Sequence, residues 1–280
     1  MSSLPSDPDA RRLVLGAAVG FDVDQVRVFV ESLRSVGYTG HAVLLVRWPG
    51  VTVRRYLRTR AVDSIPILQV RSFSRSVHAR RYSIYADYLR ARPDRFDQVM
   101  LSDVRDVVFQ RHPFEGITSP KCHFFLEGAA QTIGQDPTNS RWVRGCGTAE
   151  QAEAVAGRRI SCSGITIGGT RAMLDYLDAM ADRIRNIPFR VYRKIGHGYD
   201  QGIHNLLVHL NPDIDGIIVQ NNGHIATMAL EPQSLYRLDN SAQIYTTSGH
   251  LPPICHQYDR FPEFRHAIEA RYAIQPVARG

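Results

Sequence analysis

The sequence is poor in lysine, in cysteine and in long hydrophobic runs, and the last two shortages each exclude a class of protein. Only two lysines occur among its 34 basic residues, and its four cysteines form no C-x-x-C pair. No apolar run approaches the roughly 18–20 residues of a membrane-spanning helix. The polar first ten residues, which include Pro5 and Pro8, do not have the pattern of a secretory signal. We therefore expect neither a disulfide-stapled miniprotein nor a transmembrane protein, and we expect a cytoplasmic location.

The cysteines are too widely spaced for a common zinc motif. They are Cys122, Cys146, Cys162 and Cys255. In a cytosolic chain we expect reduced, mostly buried side chains that pack as small hydrophobic residues. A disulfide such as Cys146–Cys162 would require an oxidising compartment.

Several common catalytic and nucleotide-binding signatures are also missing. The segment 15–20 reads LGAAVG, which is not the G-x-G-x-x-G of a dinucleotide-binding turn. The chain contains no G-x-x-x-x-G-K-[ST], no H-E-x-x-H and no G-x-S-x-G. These absences weigh against a P-loop enzyme, a zincin and an α/β-hydrolase.

The composition is that of an ordinary globular protein with a large core. The 280 residues are 44% hydrophobic and 22% charged, close to the average for folded domains. A chain of this length buries a sizeable core without covalent staples. We expect a disordered or loosely ordered N-terminus over residues 1–10 and one catalytic domain over residues 11–280.

Short apolar runs alternate with longer amphipathic stretches, which is typical of βαβ units. Because the apolar runs are hydrophobic throughout, we predict an α/β fold with an open, mostly parallel (mixed) sheet and helices on both faces. Predicted strands cover 13–18, 42–46, 65–70, 99–101, 124–126 and 216–219, and 164–169 is predicted as a strand or a turn. Predicted helices cover 24–36, 79–91, 170–184 and 199–210. The least regular stretches, 132–149 and 240–262, are expected to form lids or walls of a site.

The charge balance indicates an anionic partner. The formal net charge is +7, and arginine suits planar, bidentate recognition of phosphates. Nucleic acid, an anionic membrane surface and a phosphorylated small molecule all fit this charge. The arginines are spread along the chain without a recognised nucleic-acid motif, so we do not expect nucleic-acid binding.

The strongest local signal is an apolar strand that leads into two carboxylates, Asp103 and Asp106. Ligands of open α/β sheets bind at the carboxyl ends of strands. Two hard oxygen donors there suit Mn²⁺ or Mg²⁺, provided that the chain turns at Val104–Arg105 so that both face one side. Alternatively, one carboxylate caps a turn and the other pairs with an arginine.

The segment 101–114 resembles the metal-binding DxD motif of GT-A fold glycosyltransferases, with a spacing one residue wider. The resemblance implies that Asp106 binds the metal directly and that Asp103 either does so or holds ribose hydroxyls. Three later segments resemble that family in order and spacing: 161–168, 200–205 and 254–258. The last implies that His256 completes the metal site, although it also has an interpretation as a core or turn histidine.

The same resemblance, which spans 13–258, implies further site residues. Asp200 and Gln201 would lie at the reacting sugar, although Asp200 could instead cap a helix. Glu127 follows the strand 124–126, and this position alone suggests either binding of acceptor hydroxyls or a surface salt bridge. Arg80 and Arg81 would reach the diphosphate, or else be solvated, and 196–199 would form a donor-site loop. The residues expected to bind the donor are Ala17, Ala18, Gly20, Arg80, Arg81, Asp103, Val104, Arg105 and Gly164.

The leading hypothesis is a glycosyltransferase that moves a sugar from a UDP- or GDP-sugar to a hydroxyl acceptor, which is a glycan, a lipid-linked molecule or a small molecule. Retention of configuration is favoured because the resemblance lies with retaining families. A peripheral attachment at the inner membrane face fits the basic charge. The alternatives are a non-catalytic sugar- or protein-binding module of the same fold and a nucleotidyltransferase, which would release pyrophosphate.

Overall fold

A central mixed sheet organises the chain. The computed structural model describes residues 7–68, 77–188, 191 and 198–273. Seven strands form this sheet in the order β3-β2-β1-β4-β7-β6-β8. Their bounds are β1 (Arg12–Ala18), β2 (His41–Arg47), β3 (Asp63–Ile67), β4 (Gln98–Ser102), β6 (Cys122–Leu126), β7 (Ser161–Gly169) and β8 (Gly216–Val219).

Four of the six strand pairings in this sheet are parallel, and the two pairings of β7 are antiparallel. Helices surround the sheet, so the predicted α/β class with a mostly parallel sheet is confirmed. The helices are α1 (Val23–Ser35), α2 (Val51–Thr59), α3 (Val77–Arg90), α4 (Pro137–Cys146), α5 (Ala149–Ala156), α6 (Thr170–Arg185), α7 (Tyr199–Leu210) and α8 (Pro262–Arg271).

The hydrophobic core lies on both faces of the sheet. On one face, α3 and α6 pack on β1 and β4, with Tyr82, Tyr85 and Leu89 of α3 buried against Tyr176. On the other face, α1 and α2 cover the same strands. The aromatic side chains of α3 therefore pack in the core, with Tyr88 half-buried beside them.

The direction of the strands determines where polar groups collect. Strands β1, β2, β3 and β4 are parallel, so they all end at one edge of the sheet. The antiparallel β7 begins at that edge, where the N–H of Asp103 donates to the carbonyl of Gly164 at 2.7 Å. This edge is where α/β sheets place their ligands.

A small second sheet brings a distant segment to the same edge. After β4 the chain turns and continues as β5 (Val107–Phe109), which pairs antiparallel with β12 (Ile254–His256). In that register His256 lies opposite Val107, next to Asp106. Strand β9 (Ile225–Thr227) completes this sheet, and β10 (Tyr236–Leu238) pairs with β11 (Ile244–Thr246) elsewhere.

The structure also corrects several expectations. The stretch 132–149 is not irregular throughout, because α4 occupies Pro137–Cys146 behind an Asp136 side chain that caps its N-terminus. The stretch 240–262 contains two short strands, β11 and β12. Strand β3 ends at Ile67, and the end of its predicted range lies outside the described residues. Helices α2, α5 and α8 were not predicted.

All four cysteines are free, three of them buried and Cys146 half-buried, as expected of reduced side chains. Among the described residues, no helix is both long enough and apolar enough to span a bilayer.

Candidate metal centre

Three predicted metal ligands converge at the carboxyl edge of the sheet. Oxygens of Asp103 and Asp106 and a ring nitrogen of His256 all lie within 4.8 Å of one another. The Nε2 atom of His256 is 3.6 Å from Oδ2 of Asp103 and 3.7 Å from Oδ1 of Asp106. The turn between β4 and β5 brings the two carboxylates to one side, as their spacing required. Between them Val104 packs inward, whereas Arg105 is exposed.

The donor set fits a divalent cation. The Nε2 atom of His256 is buried and has no hydrogen-bond partner among the described residues, and an unsatisfied buried polar atom is costly. Its other nitrogen, Nδ1, lies 3.5 Å from Sγ of Cys162. A neutral imidazole and two carboxylates form an ordinary ligand set for Mn²⁺, and carboxylates also suit Mg²⁺.

Gly164 leaves room beside these ligands. A Cβ atom at this position would lie 2.4 Å from Cε1 of His256 and 2.8 Å from Oδ2 of Asp103. Any larger residue would therefore clash with two of the three ligands unless they move. Gly164 was predicted as a donor-binding residue, and the structure places it on the wall of this centre.

The carboxylates and the histidine affect one another's ionisation. Burial alone would raise the pKa of Asp103, but the His256 ring and the charge of Arg81 outweigh it and hold this pKa well below its usual range. Burial raises the pKa of Asp106. Although burial opposes it, the neighbouring Cys162 and carboxylates raise the pKa of His256. Without a cation the centre therefore favours a proton on His256.

Arg81 links the metal centre to the start of α7. Its guanidinium donates to Oδ1 of Asp103 at 2.9 Å and to Oδ2 of Asp200 at 2.8 Å. Arg81 is buried, and its cation lies 4.9 Å from the centre of the Tyr82 ring. Asp200 is in the first turn of α7, whose N-cap position is Gly198, so the alternative of Asp200 as the N-cap is wrong.

Gln201 joins the beginning of β7 to a buried acid. The side-chain carbonyl of Gln201 accepts from the N–H of Ser163 at 2.8 Å. Its side-chain NH₂ group donates to the backbone carbonyl of Ser161 at 2.9 Å and to the carboxylate of Glu127 at 3.3 Å. Glu127 is buried and forms no salt bridge within the described ranges, so the surface salt bridge considered for it is wrong. Burial raises the pKa of Glu127.

Two cavities meet at Arg81 and Asp103. One, of about 360 Å³, includes Glu127, Asp200, Gln201 and His256 in its wall. The other, of about 320 Å³, lies beside the end of β1 and is lined by these residues: Ala17, Val19, Phe21, Val77, Arg81, Asp103, Val104, Arg105 and Asp106. The metal centre thus lies between an acidic cavity and a partly apolar one.

The remaining predicted donor-binding residues lie at different distances from the centre. Ala18 is buried in the core under α1, and Gly20 is exposed with a φ of +90°. The guanidinium of Arg80 lies 3.5 Å from the carbonyl of Leu68, away from Asp103. Arg105 lines the second cavity and is 3.8 Å from Asp259. Of the predicted loop 196–199, residues 196 and 197 lie outside the described residues, whereas Gly198 is the N-cap of α7 and Tyr199 its first residue.

Sequence reasoning missed the side chains that α4 contributes. Asp136, Asn139 and Trp142 line the first cavity, and the Asp136-Pro137 pair was the available signal, because Asp caps helices and Pro favours their first turn. It also did not separate Arg80 from Arg81. Arg81 shares the buried face of α3 with Tyr85 and Leu89, four and eight residues later.

No protein-family model matches the chain, and no curated protein matches it. The resemblance to the GT-A glycosyltransferases therefore stands on the residues themselves. The mixed, mostly parallel sheet and the group of two aspartates and a histidine that could hold a metal ion are compatible with it.

Proposed function

We propose that this protein is a divalent-metal-dependent glycosyltransferase of the GT-A type, which moves a sugar from a nucleoside-diphosphate sugar to a hydroxyl acceptor. The observation that carries the proposal is the convergence of Asp103, Asp106 and the unpartnered Nε2 of His256 at the carboxyl edge of the sheet. The cation would be Mn²⁺ or Mg²⁺, held by these three residues. When bound, it supplies positive charge that stabilises a departing diphosphate.

The cavity beside β1 suits the nucleotide half of the donor. Ala17, Val19 and Phe21 offer apolar surface for a base, and Arg105 lines the same cavity. Arg81 adds a buried guanidinium that is already oriented by Asp103 and Asp200. A preoriented cation of this kind stabilises negative charge as it develops on the leaving group.

The acidic cavity suits the sugar and its acceptor. Asp200 and Glu127 line this cavity and would accept hydrogen bonds from sugar hydroxyls, the side-chain amide of Gln201 holds Glu127 in place, and Trp142 supplies an aromatic face. Because burial raises the pKa of Glu127, its carboxyl group is suited to either donating or accepting a hydrogen bond with a hydroxyl. Asp200 lies one hydrogen bond from the diphosphate-binding arginine, next to the reacting carbon in this arrangement. Retention of configuration at the sugar is supported only by the resemblance to retaining GT-A families.

The proposal is tested by turnover with defined donors. The purified protein is incubated with Mn²⁺ and a panel of UDP- and GDP-sugars, and release of nucleoside diphosphate is measured with and without simple glycans, lipid-linked acceptors and small hydroxyl acceptors. We expect metal-dependent release that Asp106→Asn reduces by at least about 100-fold. Asp87→Asn, an exposed acid on α3, is the matched control and should retain full activity.

The other outcomes point to the alternatives. Release of pyrophosphate instead of nucleoside diphosphate would indicate a nucleotidyltransferase. A Mn²⁺-dependent rise in melting temperature with a nucleotide-sugar, but no turnover with any acceptor, would indicate a binding module, because a ligand that binds only the folded state stabilises it. If neither turnover nor stabilisation occurs with any nucleoside diphosphate, the proposal is wrong.

A further inference from the structure

Three exposed hydrophobic residues follow the ends of the parallel strands β2 and β3, and we call them the Trp48 patch. They are Trp48, Val51 and Leu68, which expose 57%, 60% and 61% of their surface. These fractions exceed those of the other exposed large hydrophobic side chains in the described part of the chain: Leu210, Ile217 and Ile218. Large apolar groups that cluster at the surface mark an interaction site more often than scattered ones do.

The sheet register holds the patch together. Arg47 at the end of β2 pairs with Ile67 at the end of β3, so the next residues, Trp48 and Leu68, leave the sheet side by side. The N–H of Trp48 donates to the carbonyl of Ile67 at 2.9 Å. Val51 follows three residues later as the first residue of α2.

Arginines follow the patch along α2, and no acid occurs in the same stretch of sequence. Residues 47–60 contain five arginines and no Asp or Glu. Arg55 and Arg58 are exposed and share a face of α2 with Val51, because they follow it by four and seven residues. Across the described ranges, neither they nor Arg47 lies within ion-pair distance of a carboxylate. Arg80 adds its guanidinium beside the Leu68 carbonyl.

We infer that the Trp48 patch binds an anionic lipid bilayer. Trp is favoured at the boundary between headgroups and acyl chains, and apolar side chains ringed by cations anchor peripheral proteins to anionic membranes. Nucleic acid fits less well, because Val51 and Leu68 have no ring on which a base can stack. The inference does not rest on the proposed function.

The patch and the metal centre share one edge of the sheet. Strand β2 is separated from β4 by β1 alone, so the strand ends that carry Trp48 and Asp103 are about 10 Å apart across the sheet. A bilayer bound at the patch lies beside the cavity next to β1. If the proposed function also holds, this position favours a lipid-linked acceptor over a freely diffusing one.

Vesicle flotation tests the inference without any nucleotide present. The protein is mixed with vesicles of phosphatidylcholine alone or with about one quarter phosphatidylglycerol. We expect binding to the anionic vesicles, weakened by salt, and a loss of about tenfold in Trp48→Ala/Leu68→Ser. Ile217→Ser/Ile218→Ser, at the opposite edge strand β8, is the control and should bind like the unaltered protein.

A second pair of variants tests the charges. Arg55→Glu/Arg58→Glu should weaken binding by at least about tenfold, whereas Arg171→Glu/Arg185→Glu on α6, also exposed, should change it little. In a Trp142→Phe background Trp48 is the one remaining tryptophan, and its emission should shift to the blue with anionic vesicles. No binding to these vesicles, equal loss in both members of a pair, or binding to RNA in place of vesicles would overturn the inference.

Discussion

Two fully buried histidines, His204 and His256, differ in how their ring nitrogens are satisfied. His204 lies on α7, where Tyr176 Oη is 2.7 Å from Nδ1 and Ser161 Oγ is 2.9 Å from Nε2. His256 has the weak contact with Cys162 on one nitrogen, and within the described chain its other nitrogen is without a hydrogen-bond partner. Both rings are at most 1% exposed.

The surroundings of His204 and His256 shift the pKa values of the two rings in opposite directions. Burial lowers the pKa of His204 to about 3, so this ring stays neutral at physiological pH. The pKa of His256 is raised, against the effect of burial, by Cys162 and the carboxylates of Asp103 and Asp106. A buried polar group with all its partners stabilises the fold, whereas one that faces carboxylates without a partner is available for a ligand. We interpret His204 as structural and His256 as a binding residue.

The largest expected difference between the two histidines is in metal affinity. His256→Ala removes one of three ligands, so we expect Mn²⁺ affinity to fall by at least about 100-fold. Titration calorimetry, or electron paramagnetic resonance of free Mn²⁺, measures this. His204→Ala, studied at a temperature where it stays folded, should bind within about twofold of the unaltered protein. Equal losses in the two variants would contradict the distinction.

We expect the two variants to rank in the reverse order in stability, with the larger loss for His204→Ala. His204→Ala leaves the hydroxyls of Tyr176 and Ser161 without their partner in the core and creates a cavity, and we expect a loss of about 2–4 kcal/mol in the free energy of unfolding. His256→Ala without metal also removes a buried ring and its attraction to the two carboxylates, but water from the adjoining cavity can then solvate them, so we expect a smaller loss of about 1–2 kcal/mol. Urea unfolding of both variants measures the difference, and a larger loss for His256→Ala would refute our interpretation.

The pH dependence of stability tests whether His204 is neutral in the folded protein. The pKa of His204 is about 3 in the folded protein against 6.5 for a free histidine, so the unfolded chain takes up the proton first. The stability that neutral His204 gives the folded protein is complete above about pH 6.5. As the pH falls towards 3, the free energy of unfolding decreases by up to about 1.4 kcal/mol per pH unit. Urea unfolding between these values should show a shallower slope for His204→Gln. An unchanged slope would mean that His204 is not the group that titrates.

The smallest expected effect concerns the space beside His256. Gly164→Ala places a Cβ against the His256 ring and Asp103, and we expect about fivefold weaker Mn²⁺ binding because the ring must shift, at roughly the lower end of the usual cost of overpacking. Gly157→Ala is the matched control, since a Cβ there has no neighbour within 4 Å. If Gly164→Ala binds Mn²⁺ as the unaltered protein does, the ion does not occupy the space next to Gly164.

The long elements could be predicted from local pattern, and the short ones could not. Strands β1, β2 and β4 at the middle of the large sheet contain continuous apolar runs, and α1, α3, α6 and α7 carry helical periodicity, so these elements were predicted within a few residues. Helix α2 buries only Val53 and Leu57, and β5, β9 and β12 have three residues each. Patterns this short do not distinguish a strand from a loop.

The sequence by itself determined the α/β class, because uniformly apolar strands need helices on both faces to keep them from water. It also determined that carboxylates follow β4. Only the tertiary structure decided that these carboxylates meet His256, that Arg81 rather than Arg80 pairs with Asp103, and that Trp48 lies beside Leu68. Each of these juxtapositions depends on the register between strands that are distant in the chain or on how a helix packs against the sheet. The local periodicity of a sequence encodes neither the register nor the packing.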